Sequence, residues 1–418
     1  MNAKVFPSRL SGRVEAVPSK SYAHRMLIAA ALADRPTRIN RIGRSQDVCA
    51  TIGGLIALGA TIERKGEDVI VHPVSAPPAS ALVDCNESGS TLRFLIPVAA
   101  ALGVEATFVG KGRLAERPVA ALVDALGQAG VRIEGTGLPL SICGRLTSDG
   151  VEVDGGLSSQ YVTGMLFALA AQGGNRRLKV KGKRVSESYL ALTIDVLARF
   201  GVRVTATAEG YTVVGNLRSP GEITVEGDWS NAAFFAVCGA LSGTIEIVNL
   251  NPHSLQGDRR IVSILEEAGA AVEAGDDFVR VSAGKLKAIS ADCEQIPDLV
   301  PVVAVLTAFA EGRSVLTGVA RLKLKESDRL TQTVRLIEGL GGAASATEHR
   351  IVVDGQSALQ GGQTIEGTND HRLVMAGAVG AAATTLGATI TDAEAVHKSY
   401  PDFWEVFEAT GGRYELDV

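Results

Sequence analysis

A chain of 418 residues, 46% hydrophobic and 5% aromatic, is long enough for two cores of about 200 residues each. Its 41 Lys and Arg against 46 Asp and Glu leave a net charge of −5, with the basic residues dispersed. That balance argues against a nucleic-acid groove and a polybasic membrane patch, and directs attention to small-molecule partners.

The chain opens on a strand-like segment, Asn2 to Leu10. Met1 to Gly12 lacks an apolar signal core, and the longest apolar run, Leu299 to Ala310, is too short to cross a bilayer, so a cytoplasmic protein is expected. Two helix types then alternate. Core helices, apolar nearly all round, begin near Ser19-Lys20-Ser21, Ser88-Gly89-Ser90, Ser158-Ser159-Gln160, Trp229-Ser230-Asn231, Pro297-Asp298 and Asp370-His371-Arg372. Amphipathic outer helices stop at Gly59, Gly130, Gly201, Gly269, Gly341 and Gly411, at successive spacings of 71, 71, 68, 72 and 70. A period near 70 is too long for the common solenoids and suits one βαβ-containing unit used six times.

No Pro/Gly/Ser-rich linker interrupts the repeats, so a boundary must fall between them. The last segment, Gly411 to Leu416, reads as an incomplete unit that the opening strand completes. The expected division is a discontinuous lobe, residues 1–14 plus 228–418, and a second lobe, 15–227, with three repeats in each. Every core helix has its dipole-positive end at the same point of the repeat. Six N-termini facing one cleft between the lobes would make a site for anions.

The chemistry-bearing residues cluster at those helix starts. Lys20, Ser21 and Arg25 suit oxyanion binding, although a capped helix with surface cations has the same pattern. In Glu87-Ser88-Gly89-Ser90-Thr91-Leu92-Arg93, Gly89 would let a ligand approach the backbone. Ser158, Ser159 and Gln160 could cradle phosphate or merely cap a helix. Lys323-Leu324-Lys325-Glu326-Ser327-Asp328-Arg329 carries five ionisable groups in seven positions, with Lys325 and Arg329 expected on one helix face. A solvated run of ion pairs is the alternative. Asp298 sits at a helix start, where an acid needs no function, and Lys398 reads equally as a loop lysine. Arg372 opens an apolar helix, a costly place for a cation unless an anion meets it.

Five cysteines, at 49, 85, 143, 238 and 293, show no C-x-x-C and read as reduced thiols. The six histidines lack H-x₃-H pairing, and no glycine-rich nucleotide loop is present. No metal and no cofactor is expected.

Taken in order, Pro18 to Arg25, ESGSTLR, Arg113 with Glu116-Arg117-Pro118, Ser158-Ser159-Gln160, Ile296-Pro297-Asp298, KESDR, Asp370-His371-Arg372 and His397 to Phe403 resemble the enolpyruvylshikimate-phosphate synthase family. The resemblance spans residues 18 to 403 and implies an α/β (α+β) fold of two lobes, each of three βαβαββ repeats around buried core helices, an inside-out α/β barrel. It implies transfer of the enolpyruvyl group of phosphoenolpyruvate to shikimate 3-phosphate, with release of phosphate, by a monomer.

By the same resemblance, shikimate 3-phosphate would be held by Lys20, Ser21, Arg25, Ser158, Ser159, Gln160, Ser186, Tyr189, Asp298 and Lys325. Phosphoenolpyruvate would meet Lys20, Gly89, Arg113, Gln160, Arg329, Arg372 and Lys398. Asp298 is the candidate base at the shikimate hydroxyl, Glu326 the candidate for delivering a proton to C3, and Lys20 a third catalytic group. The chain departs from the commonest family pattern at Glu87, Phe94 and Arg321, and no ligand contact is carried over to Glu87 or Arg321. A UDP-N-acetylglucosamine enolpyruvyl transferase is the nearest alternative, but its family carries a cysteine in the loop that here reads Gly110 to Pro118. An idle anion-binding repeat protein would explain the period and not the ionisable groups.

Overall fold

The protein is described from a computed structural model covering residues 1–182 and 185–417. Among the described residues the helices are α1 (Lys20–Ala31), α2 (Gln46–Ala57), α3 (Gly89–Leu102), α4 (Ala120–Gln128), α5 (Ser159–Gln172), α6 (Glu187–Arg199), α7 (Trp229–Ser242), α8 (Ile261–Ala268), α9 (Val300–Ala308), α10 (Arg329–Gly339), α11 (His371–Ala383) and α12 (Phe403–Ala409). Odd-numbered helices are the core type and even-numbered ones the outer type.

Local chemistry sets most helix limits. Ser19, Ser45, Ser88 and Ser158 accept from backbone N–H groups at the starts of α1, α2, α3 and α5, and Asp228, Asp328 and Asp370 do the same for α7, α10 and α11. All six outer helices end the same way. At α2, Gly59 N–H donates to Ile56 and Ala60 N–H to Leu55, and the equivalent pairs close α4, α6, α8, α10 and α12. The terminating glycine has a φ of 104° at Gly59 and 99° at Gly411, left-handed values that a Cβ would disfavour.

Each repeat supplies a four-stranded sheet. In one, Ser80–Asp84 pairs in parallel with Glu105–Val109, whose other edge runs antiparallel to Leu140–Cys143, and Arg132–Glu134 completes the sheet. Strand faces alternate, so Ala106 and Phe108 point to the core while Glu105 faces out. Among the described residues the six sheets remain separate four-stranded sheets, so the core helices are wrapped by open sheets and no barrel is closed.

The chain divides into two compact units, Met1–Val17 with Gly227–Val418, and Pro18–Glu226. Residues 15–17 and 227 therefore differ in side from the boundary read off the sequence. The reason is pairing. Ser11–Glu15 runs parallel to Thr244–Val248, and Asp228 N–H bonds the Val17 carbonyl at 2.8 Å. Asn2–Phe6 lies between Ala388–Ile390 and Arg413–Asp417 in the last sheet. In the Pro18–Glu226 unit, Glu222–Thr224 returns to pair with Thr37–Asn40, so the first sheet is finished by the last strand.

The Pro18–Glu226 core depends on close approach of α3 and α5. A Cβ at Gly164 would fall 2.3 Å from the Arg93 carbonyl oxygen and 2.8 Å from Pro97 Cγ. Gly164→Ala is therefore expected to destabilise by about 1–3 kcal/mol through overpacking. Thermal unfolding measures it, and an unchanged Tm would show that the two helices can separate without cost. No helix among the described residues is long and apolar enough to cross a membrane.

Candidate active site

In the Pro18–Glu226 unit the polar residues at the starts of α3 and α5 bond one another, and those of α1 bond α2 and α6. Arg25, 3% exposed, donates from Nε to Thr193 Oγ1 at 2.9 Å, from Nη1 to the Ser21 carbonyl at 2.7 Å and from Nη2 to the Tyr189 carbonyl at 3.0 Å. Its guanidinium lies 5.2 Å from the centre of the Phe94 ring. Every hydrogen-bond acceptor is neutral. Burial pushes the Arg25 pKa down to about 10, still charged at neutral pH. A buried cation without a carboxylate is costly, and an anionic ligand would relieve that cost.

Gln160 is fixed at both ends of its amide. Arg93 Nη1 donates to Oε1 at 2.7 Å, and Nε2 donates to Ser90 Oγ at 3.0 Å. Ser158 caps α5 and Ser159 is its buried first residue. Ser186 precedes α6 in the left-handed region, φ 52°, and its hydroxyl does not cap that helix. Tyr189 contributes its carbonyl to Arg25 and packs partly on the core.

Lys20 is paired with Asp47 at 2.7 Å, a partner that the sequence did not single out. An acid in the first turn of α2 is favourable to the helix dipole anyway, which hides its second use. Gly89 has a different neighbour from the expected ligand: a Cβ there would lie 2.6 Å from Arg117 Nη1. Arg113 is not brought to this group. It sits on the exposed 3₁₀ turn Gly112–Glu116 and pairs with Glu116 at 3.1 Å.

The second cluster belongs to the other unit and is denser. Arg329, 1% exposed, is surrounded by acids: Nη1 donates to Asp298 at 2.8 Å, Nη2 to Glu326 at 2.7 Å, and Nε to Asp370 Oδ2 at 2.7 Å. Asp370 also accepts from Ser327 at 2.9 Å and caps α11 through the Arg372 N–H at 3.0 Å. Burial works against the Arg329 charge, and the Asp370, Glu326 and Asp298 carboxylates outweigh it, holding its pKa well above the usual arginine value. Lys325 Nζ reaches Asp298 at 3.3 Å, and burial lowers its pKa despite that partner.

Three expectations are corrected here. Lys325 and Arg329 do not share a helix face. Asp328 caps α10 by accepting from Thr331, so the helix starts at Arg329, while Lys325 is extended at the end of the 3₁₀ turn Ala320–Leu324. Both cations still meet Asp298, by tertiary packing. Asp298 itself is not a helix-starting acid, because α9 begins at Val300 after Leu299 and Asp298 lies in the preceding turn. Lys398 is no loop lysine either: it ends the 3₁₀ turn Ala393–Lys398, is buried, and donates to the Asn369 carbonyl at 2.5 Å.

Arg372 differs from Arg329. It is 2% exposed, donates from Nη1 to Asn231 Oδ1 at 3.3 Å, and stands 3.8 Å from Asp298 Oδ2, while its Nε has no hydrogen-bond partner. Asn231 also binds Ser399 through both ends of its amide, at 3.4 and 3.2 Å, so the first turn of α7 ties Arg372 to the Lys398 segment. Sequence reading gave Asn231 only as part of a helix start and did not single out Asp258 in Gly257-Asp258-Arg259-Arg260, because their partners lie on distant segments.

Repeated four-stranded sheets around buried helices are a fold that this chain shares with solved EPSP synthases and with an enolpyruvyl transferase. The enolpyruvyl transferase NikO from Streptomyces tendae shares the fold at a TM-score of 0.79 and 20% identity over 99% of this chain and 98% of that one. The EPSP synthase from Acinetobacter baumannii superposes at a TM-score of 0.81 and 25% identity, over 99% of this chain and 100% of that one. A family model for EPSP synthase (3-phosphoshikimate 1-carboxyvinyltransferase) matches residues 5–407. A 3-phosphoshikimate 1-carboxyvinyltransferase of Clostridium kluyveri is 38% identical over 98% of this chain and 97% of its own length. That of Clostridium novyi is 36% identical over 98% of both. The chain belongs to the EPSP synthase family.

Proposed function

We propose that the chain transfers the enolpyruvyl group of phosphoenolpyruvate to the 5-hydroxyl of shikimate 3-phosphate and releases phosphate, the step of the shikimate pathway that its family carries out. The carrying observation is Arg372, a buried guanidinium with an unpartnered Nε at the start of an apolar helix. An anion is the ligand that such a group needs.

Shikimate 3-phosphate is held by Lys20, Ser21, Arg25, Ser158, Ser159, Gln160, Ser186 and Tyr189, with Asp298 and Lys325 at its hydroxyls. Phosphoenolpyruvate is assigned to Arg372, Arg329 and Lys398, and to Lys20, Gly89 and Gln160; Arg113, expected with them, is exposed and paired with Glu116.

Two proton transfers define the chemistry. The 5-hydroxyl loses its proton to Asp298 as oxygen attacks C2, and Glu326 delivers a proton to C3, which becomes a methyl group. The tetrahedral intermediate then returns a C3 proton to Glu326 and expels phosphate while Arg and Lys stabilise the departing charge. Asp298 faces Arg329, Lys325 and Arg372, which favour its anion.

The experiment is phosphate release from phosphoenolpyruvate with shikimate 3-phosphate or UDP-N-acetylglucosamine as acceptor. Release with the shikimate ester alone is expected. Release with the sugar nucleotide moves the chain to the sibling activity, and silence with both refutes the transferase reading. Arg372→Ala is expected to raise KM for phosphoenolpyruvate by about 10²-fold or more, since it removes a desolvated charged donor. Initial rates against substrate concentration check this, and an unchanged KM would take Arg372 out of the site.

A further inference from the structure

Asp258 stands beside this machinery and has no part in the reaction as described. It precedes α8 on the 3₁₀ turn Gly257–Arg260 and is 3% exposed. Its Oδ2 accepts from Ser230 Oγ at 2.5 Å, and its Oδ1 is buried with no hydrogen-bond partner. Among the described residues its one side-chain hydrogen bond is the one from Ser230. A carboxylate in that setting loses its hydration and regains one hydrogen bond, so the neutral acid is the favoured form.

What surrounds it gives that neutrality a use. Ser230, its one partner, is followed on the first turn of α7 by Asn231, which holds Arg372. The charged and titratable groups close enough to act electrostatically on Asp258 are Asp298 before α9, Arg372 on α11 and Asp228 at the cap of α7, and Asp258 acts in turn on Cys293. Arg259 and Arg260 lie on its own turn, and their guanidinium groups bond the Pro252 and Asp292 carbonyls instead.

We propose that Asp258 is a positioning residue that acts as a protonated acid: held by Ser230, it keeps a further negative charge away from Arg372 and Asp298, leaving Arg372 to the anionic substrate. Ionised, Asp258 competes with that substrate for Arg372. Burial first, then the Asp298 charge, pushes its pKa up to about 7, so the change falls in an accessible range. The proposal rests on the reading that Arg372 binds phosphoenolpyruvate.

The test compares wild type with Asp258→Asn, a neutral isostere that can still accept from Ser230. Phosphoenolpyruvate affinity is measured by calorimetry with saturating shikimate 3-phosphate, and KM by initial rates, from about pH 6 to about pH 8.5. Wild type is expected to lose about five- to tenfold in affinity across that range relative to the variant, because substrate ionisation is common to both proteins. Ser230→Ala removes a hydrogen bond that favours the anion, and is expected to move the midpoint to higher pH. Parallel pH profiles for wild type and Asp258→Asn overturn the proposal.

Thermal unfolding separates this from a failure of the substrate reading. A folded pKa above the unfolded one gives stability that is complete below about pH 4 and lost as pH rises through about 7. The Tm of wild type relative to Asp258→Asn should therefore fall over that window and level off above it. A constant difference in Tm shows that Asp258 does not hold a proton and overturns the proposal without reference to any ligand. The expected Tm profile together with no phosphoenolpyruvate binding by either protein instead overturns the Arg372 reading, and the gating with it.

Discussion

Asp298→Asn is expected to lower kcat for the transfer of enolpyruvate by about 10²- to 10⁴-fold, the range for loss of a general base. KM for phosphoenolpyruvate should not rise with it. In the folded protein Asp298 accepts from Arg329 at 2.8 Å and Lys325 at 3.3 Å, and faces Arg372 at 3.8 Å. The asparagine removes one negative charge from the middle of three cations, so an incoming anion meets more unopposed positive charge than before. A fall in kcat with a constant or lower KM is the signature of a group that acts on the reacting atoms. Steady-state kinetics with both substrates varied reads this directly. Near-wild-type turnover would remove Asp298 from proton transfer, and a raised KM with unchanged kcat would make it a structural partner of the cations only. Glu326→Gln carries the same expectation for the C3 proton, and it also loosens Arg329, to which Glu326 is bonded at 2.7 Å.

Asp370→Ala is expected to be the most destabilising single change in the cluster, by about 3–5 kcal/mol, because it breaks a buried ion pair from one side. Arg329 would keep its charge at 1% exposure with its Nε bond gone, Ser327 would lose an acceptor, and α11 would lose its cap. The cap alone accounts for about 1 kcal/mol of this. Asp370→Asn separates the contributions, since asparagine caps well and carries no charge. Denaturant or thermal unfolding of both variants gives the comparison. If Asp370→Asn is as stable as wild type, the Arg329–Asp370 charge pair contributes nothing net, and Asp298 and Glu326 suffice to hold Arg329.

These two residues also show how far sequence reading reaches. Asp370 was visible as the first residue of a motif at a helix start, and its capping role is local: its carboxylate meets an N–H two residues on. Its bonds to Arg329 join residues 41 apart, and no periodicity announces them. Arg372 and Asn231 are 141 apart. Lys325 and Arg329 were placed on one face by their spacing of four, yet the cap at Asp328 makes Arg329 the first helical residue and leaves Lys325 outside the helix. The clustering at Asp298 survived that error because it depends on packing and not on helical phase.

What the chain determines by itself is what short-range chemistry can enforce. Six glycines at a period near 70 stop six helices, because the closing hydrogen bonds of each require a left-handed residue and only glycine adopts that conformation without a Cβ penalty. Serine and aspartate caps fix most helix starts, and the ordered motifs at those starts carry the family. The tertiary structure alone decided which charges are compensated. Arg329 with three carboxylates, Arg25 with neutral acceptors only, Arg372 with a donor unmet, and Asp258 with one hydroxyl partner all look like ordinary charged residues along the chain. Their difference lies in desolvation and in partners from other repeats, quantities that exist only once the core helices have brought distant turns together.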